Sequence, residues 1–366
     1  MKTRKNSRNR FTFTPLCFLL AGLAPMHFPA LPSARAAENA PAPGVWSIGV
    51  GTSLLAAPAE AGSEAAAQAL AAHGPGEAKL VLVFAVAQQL TPELIEGVAK
   101  HFPKNIIYGA NVVAPLTPTT NLPDQAPSLE SAEGVGVLAI GGDVTITIAA
   151  DTLQATTAEA TAEDADAAFA SYRESGGRLG RQLLPALKSC PRPGKLLLTF
   201  GNQFNGSNTY LAMGFRDALG DDLKAVGVSA GNSRADMARV IAAGEIAQDV
   251  NVAVLFCGDF RIGISLDGGT HTPALANAVL GAAMEQGGPD AKPFFGFVFN
   301  CRRRRIGMIQ RKQLAEELAV IQKHFDGAPF FGAYGPGEIG IRKPGVPAEG
   351  TGFSVSTALL FPLAAP

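Results

Sequence analysis

The chain has 366 residues, 47% of them hydrophobic and 17% charged, with 41 glycines and a formal net charge of −1. Residues 1–36 carry six basic side chains and no acidic one, so the remainder has a net charge of −7. That balance argues against a nucleic-acid partner, which needs a basic face.

Residues 1–36 read as an export signal. Lys2, Arg4, Lys5, Arg8 and Arg10 precede an apolar stretch, Phe11–Leu23, and Ala34-Arg35-Ala36 forms a small-residue cleavage site. Pro15 and Pro25 interrupt the apolar run, and no later segment is apolar enough to span a bilayer. The expected location is periplasmic or secreted, after cleavage near Ala36. A Pro/Ala linker, residues 37–44, follows. The expected division is then an N-terminal part over 45–150, a connecting helical segment over 151–175 and a C-terminal part over 176–366.

From Val45 onward one pattern recurs. Three apolar first strands, Leu80–Phe84, Leu196–Phe200 and Phe294–Phe299, are each followed by a helical stretch, at Pro92–Phe102, Tyr210–Leu219 and Lys312–Phe325. Second strands ending in glycine follow, at Ile106–Gly109, Ala225–Gly227 and Phe330–Gly332, and then third strands at Val135–Ile140, Val252–Cys257 and Phe353–Phe361. Such self-similarity predicts one supersecondary unit used repeatedly. The fold class is therefore α/β, with mixed sheets covered by helices. The first two third strands continue into Gly-Asp turns, at Gly142-Asp143 and Gly258-Asp259, and read as hairpins. The third copy lacks a return strand, and the opening strand Val45–Val50 is expected to fill that place. Thr157–Leu187 reads as one long or broken helix, with Gly176-Gly177 as the expected point of any break. Beyond residue 36 the cysteines are Cys190, Cys257 and Cys301; a Cys257–Cys301 disulfide and two buried thiols are both open readings.

The most specific string is Phe330-Phe-Gly-Ala-Tyr334-Gly335-Pro-Gly337-Glu338-Ile-Gly340. Its glycines bring backbone N–H groups within reach of a ligand, and Glu338 is its one charge. Cys301 and Arg302–Arg305 follow a first strand; in an extended chain these arginines would alternate sides, so one or two could hold a carboxylate while the rest face solvent. Asn202, Gln203, Asn205 and Asn208 offer uncharged donors and acceptors after the middle first strand.

These strings resemble the FIST sensory domain. The resemblance rests on the Gly332–Gly340 string, on Phe297-Val-Phe-Asn-Cys301-Arg-Arg-Arg304 and on Ile48-Gly-Val-Gly-Thr-Ser53, and it covers roughly residues 45–362. It implies a non-catalytic sensor of a small polar molecule, with amino acids as proposed ligands and haem in one branch. It implies N- and C-terminal FIST-like parts and favours Arg303 or Arg304 among the arginines; with the readings above, the expected ligand site is drawn from Glu338, Tyr334, Gly335, Gly337, Asn202, Cys301, Arg303 and Arg304. Two features depart from the pattern. Gly109-Ala-Asn-Val-Val-Ala114 stands where a second Gly-Glu loop is expected, and no signalling module is attached, so a separate partner protein is implied.

Two alternatives accompany that reading. Gly227-Val-Ser229-Ala-Gly231 matches a nucleophile elbow, with Asp259, Asp267 and His271 downstream in hydrolase order. A haem-binding gas sensor would draw on His271 as its axial ligand. No metal site is expected, because no histidine pair has ligand spacing.

Overall fold

The computed structural model describes residues 46–118, 134–153, 165–202, 207–231 and 238–363. The signal, the linker, most of the Val112–Ala132 segment, Gln203 and Asn205 lie outside the described residues.

Strand β1 (Trp46–Ser53) opens three successive units. The first contains α1 (Pro58–His73), β2 (Ala78–Val86), α2 (Pro92–Ala99), β3 (Ile107–Val112), β4 (Ala114–Leu116), β5 (Val135–Gly142) and β6 (Val144–Thr152). The second contains α3 (Ala165–Ser189), β7 (Gly194–Gly201), α4 (Ser207–Leu219), β8 (Lys224–Ser229), β9 (Val240–Ala242), β10 (Glu245–Ala247), β11 (Val250–Gly258) and β12 (Phe260–Gly268). The third contains α5 (Pro273–Glu285), β13 (Phe295–Cys301), α6 (Arg302–Arg311), α7 (Leu314–Phe325), β14 (Phe330–Gly335), β15 (Glu338–Gly340), β16 (Glu349–Thr351) and β17 (Ser354–Pro362).

Each unit builds the centre of one mixed sheet; the first two units lend strands to both other sheets, and the third lends β15 and β16 to the second. The orders are β1-β5-β2-β3-β9-β10, β16-β15-β8-β7-β11-β6 and β12-β17-β13-β14-β4. First and second strands pair in parallel in every sheet (β2 with β3, β7 with β8, β13 with β14). The exchange is cyclic. Return strand β6 joins the second sheet, β12 joins the third, and β1 takes the corresponding edge of the first. The N-terminal strand therefore fills the place expected of it.

The expected hairpins do not form. Both edges of β5 are taken, by β1 and β2, and both edges of β11, by β6 and β7. The chain at Gly142-Asp143 and Gly258-Asp259 instead turns a corner between sheets, as strands do where two sheets meet.

The recurrent glycine of the second strand has a steric cause. A Cβ at Gly109, Gly227 or Gly332 would strike the carbonyl oxygen of Val83, Thr199 or Val298 on the adjacent first strand. Alternation does the rest. Leu80, Leu82 and Phe84 join the central core, while Val81, Val83 and Ala85 pack with residues of α1 and α2. Phe84, Phe200 and Phe299 each stand opposite the residue after that glycine. They meet in the middle, with ring centroids 5.8 Å (Phe84–Phe200) and 6.1 Å (Phe84–Phe299) apart. Trp46 of β1 packs on Phe256, Phe260 and Phe294 at 5.1–5.8 Å and so binds the opening strand to the other two units.

Helix α3 runs through Gly176-Gly177 without the expected break. A Cβ at Gly176 would strike the Leu211 carbonyl, and one at Gly214 the Arg173 carbonyl, so these glycines allow α3 and α4 to touch backbone to backbone. Cys190, just after α3, forms a disulfide with Cys257 of β11, with Cα atoms 6.2 Å apart. Cys301 is a buried free thiol. The Cys257–Cys301 pairing is thus excluded, because Cys257 is already bonded.

Candidate functional site

The three short strands β4, β9 and β15 occupy equivalent places, each pairing antiparallel with a second strand of another unit. Opposite the residue after the recurrent glycine they present Pro115 (against Ala333), Val240 (against Ala110) and Glu338 (against Val228). Two of the three positions are apolar; the third is a carboxylic acid. The internal repeat thereby marks Glu338 as the departure from a shared architecture.

Glu338 is fully buried. Oε2 accepts a hydrogen bond from Ser354 Oγ at the start of β17. Oε1 is sealed from solvent and has no hydrogen-bond partner among the described residues. Burial pushes the carboxyl from 4.5 up to about 8, against the pull of the Ser354 hydrogen bonds and the Arg304 charge. The backbone around it is held from the second unit. Asn208 Nδ2 of α4 donates to the carbonyls of Glu338 (2.8 Å) and Thr351 (2.9 Å), and Ser229 N–H donates to the Gly337 carbonyl (2.8 Å). Gly335 and Gly337 permit this approach: a Cβ would meet the Val228 side chain at the first and Asn208 Nδ2 at the second.

Cys301 ends β13 as the N-cap of α6. Burial raises its thiol, and the neighbouring Glu338 charge raises it further, while backbone N–H groups of Arg303, Phe353 and Arg304 directed at the sulfur work the other way. Phe353 takes a positive φ of 60°, a strained conformation for a bulky residue beside the site.

The four arginines form the first turn of α6. The alternation expected of an extended run therefore fails, and helical geometry sorts them instead. Arg303 is exposed, its guanidinium 4.7 Å from the Phe353 ring. Arg304 is fully buried. It donates to Thr270 O (2.8 Å), Thr272 O (2.8 Å), Asn300 Oδ1 (2.6 Å) and Glu317 Oε1 (2.8 Å). Glu317 Oε2 in turn accepts from Asn300 Nδ2 (3.0 Å) and Tyr334 Oη (2.6 Å). Burial and then the Glu317 charge hold the Tyr334 phenol far above its usual range. Arg304 and Tyr334 therefore brace the site from within. Arg305 is also buried, with its guanidinium carbon 6.0 Å from the Tyr334 ring centroid.

Glu338, Gly335, Gly337, Tyr334, Cys301 and Arg304 thus come together, and Arg303 lies outside the cluster. Asn202 belongs to another unit: it follows Gly201 as Cys301 follows Asn300, and its Nδ2 donates to Asp249 at 2.6 Å. Sequence reasoning missed Glu317, Asn300 and Ser354, and it did not single out Arg305 among the four arginines. Glu317 had a readable signal, since Leu314, Glu317 and Ile321 share one face of α7 and that face is buried.

Ser229 lacks the setting of a nucleophile elbow. Among the described residues no helix follows it before β9; Asp259 and Asp267 face Arg192 and Arg342. His271 does not fit an axial haem ligand. Its ring packs on Phe353 at 5.7 Å, and a Cβ at Gly307 of α6 would strike the base of the ring. Among the described residues no cluster of three or more His, Cys, Asp or Glu side chains could hold a metal ion.

The family model of the FIST N domain matches residues 79–272, more than half of the chain. The chain belongs to the FIST family. Membership brings a sensory, small-ligand-binding role. The FIST N match spans most of the first two units and stops before the strands that carry Cys301 and Glu338. No curated protein matches the sequence. Among solved structures, a cyanuric acid hydrolase from A. caulinodans superposes with a TM-score of 0.45 at 11% identity, over 86% of this chain and 99% of that one. That likeness is too loose to transfer an activity.

Proposed function

We propose that this FIST protein is a non-catalytic sensor of a small polar molecule such as an amino acid, bound in the third unit beside Glu338. The observation that carries this reading is the fully buried Glu338, whose Oε1 has no partner among the described residues while the equivalent positions are Pro115 and Val240. A buried acceptor left unsatisfied destabilises the fold unless a ligand supplies the donor. Gly335, Gly337 and Cys301 complete the contacts, and Tyr334 and Arg304 fix them in place. The third unit, within the proposed C-terminal part at 176–366, holds the ligand. The N-terminal leader directs export to the periplasm or beyond, and a separate protein carries the signal onward. No described helix is long and apolar enough to cross a membrane.

Glu338→Ala is the direct test. Ligand binding, followed by native mass spectrometry or calorimetry, is expected to fall at least tenfold while the circular dichroism spectrum is retained; unchanged affinity would remove Glu338 from the site. A ligand offering an ammonium group needs the ionised carboxylate. Its affinity should therefore rise about tenfold per pH unit toward pH 8 and level off above it. A flat profile between pH 6 and 8 would contradict that pairing.

A further inference from the structure

Arg305 is the one arginine of the α6 turn that is buried and has no described hydrogen-bond or salt-bridge partner. It is 2% exposed, and its Nε and Nη1 are sealed from solvent. Among the described residues no acceptor meets either nitrogen and no carboxylate pairs with the guanidinium, which lies over the ring of Tyr334. The surrounding charges do not balance it. Glu317 is already matched by Arg304 at 2.8 Å, and burial favours the neutral form of Glu338. A buried, uncompensated guanidinium is unfavourable, and a shape-matched apolar side chain would be the more stable choice for a purely structural position. Burial pushes this guanidinium below its ordinary range, in keeping with an environment that lacks its counter-charge. Its placement is specific as well. Arg305 stands in the first turn of α6 directly after Arg304, and its guanidinium carbon lies 6.0 Å from the ring centroid of Tyr334, which Glu317 holds in the same network.

We infer that Arg305 is the anion anchor of the ligand site and that the molecule it receives carries a carboxylate. A monoanion neutralises the single positive charge of Arg305, and a planar carboxylate matches a guanidinium edge-on. A dianionic phosphate would leave surplus negative charge buried. The inference rests on the sensor reading above and deepens it, because it gives the carboxylate of the proposed ligand a partner of its own at Arg305.

The test uses the full chain, thermal unfolding, and three probes: acetate, glycine and glycinamide. Wild-type protein is expected to gain stability with acetate and more with glycine, and least with glycinamide, which lacks the carboxylate. Arg305→Met should abolish the acetate and glycine responses while the unliganded protein melts at the same temperature or higher. Arg305→Gln provides a second variant of different polarity with the same expected loss. The inference is overturned if either variant keeps the carboxylate response, if both melt well below wild type without ligand, or if wild type ignores all carboxylates. Loss of response in Glu338→Ala but not in Arg305→Met would refute the anchor alone. Retention in both would refute the sensor site as well.

Discussion

At the scale of single residues, Glu338 makes a distinct contribution to the pH dependence of stability. Its carboxyl titrates at about 8 when folded, against 4.5 when freed from burial. Between those values unfolding releases a proton, so stability is full below about pH 4.5, falls as pH rises and levels off above about pH 8. A shift of that size corresponds to at most about 5 kcal/mol. Glu338→Gln removes the titration, and its melting temperature should therefore exceed wild type at pH 8.5 and match it near pH 4.5. A wild-type advantage at high pH would show the buried carboxyl to be stabilising as an ion. That Glu338 stands apart from its surroundings was legible in the sequence, because it is the one charge among glycines in a specific string. Arg305 was not, because four successive arginines carry no mark of which is buried until their helical phase is known.

At the scale of elements, α6 begins with four positive charges where the helix dipole disfavours them. Glu317 of α7, joined to Arg304, Asn300 and Tyr334, offsets this and locks α6 against β13 and β14. Removing one member leaves a buried charge uncompensated. Glu317→Ala should thus cost about 3–5 kcal/mol, measured by denaturant unfolding, whereas the neighbouring exposed Glu316→Ala should change little. Equal effects of the two would contradict the network. Other element-level features were half legible. Helix α7 and the glycine-ended strands follow from local pattern, but the corner at Gly142-Asp143 has the composition of a hairpin turn. Only the occupation of both β5 edges reveals that it is not one, and that depends on β1, about ninety residues away along the chain. Gly176-Gly177 likewise signals a break locally and a helix–helix contact in the fold.

At the scale of the whole molecule, three units share their strands in a closed ring, and the core lies where their phenylalanines meet. The repeat was visible from sequence because each unit needs the same glycine against the same carbonyl. The exchange of strands was foreseen only for β1, since edge pairing leaves little trace in composition. The Cys190–Cys257 disulfide ties the end of α3 to β11 across 67 residues of chain. Closure of a loop that long is worth about 4 kcal/mol. Cys257→Ala should lower stability by an amount of that order, read under oxidising conditions, and the difference from wild type should vanish under reduction; a difference that survives reduction would assign the effect to packing. Against this repeated background the third unit alone supplies Cys301, Glu338 and Arg305. The most direct measurement is native mass spectrometry of the protein purified from its own cell compartment, wild type beside Glu338→Ala. The account predicts a stoichiometric small-molecule adduct on wild type, released on denaturation and missing from the variant. An adduct of equal occupancy on both proteins would place the ligand elsewhere and contradict the assignment of the site.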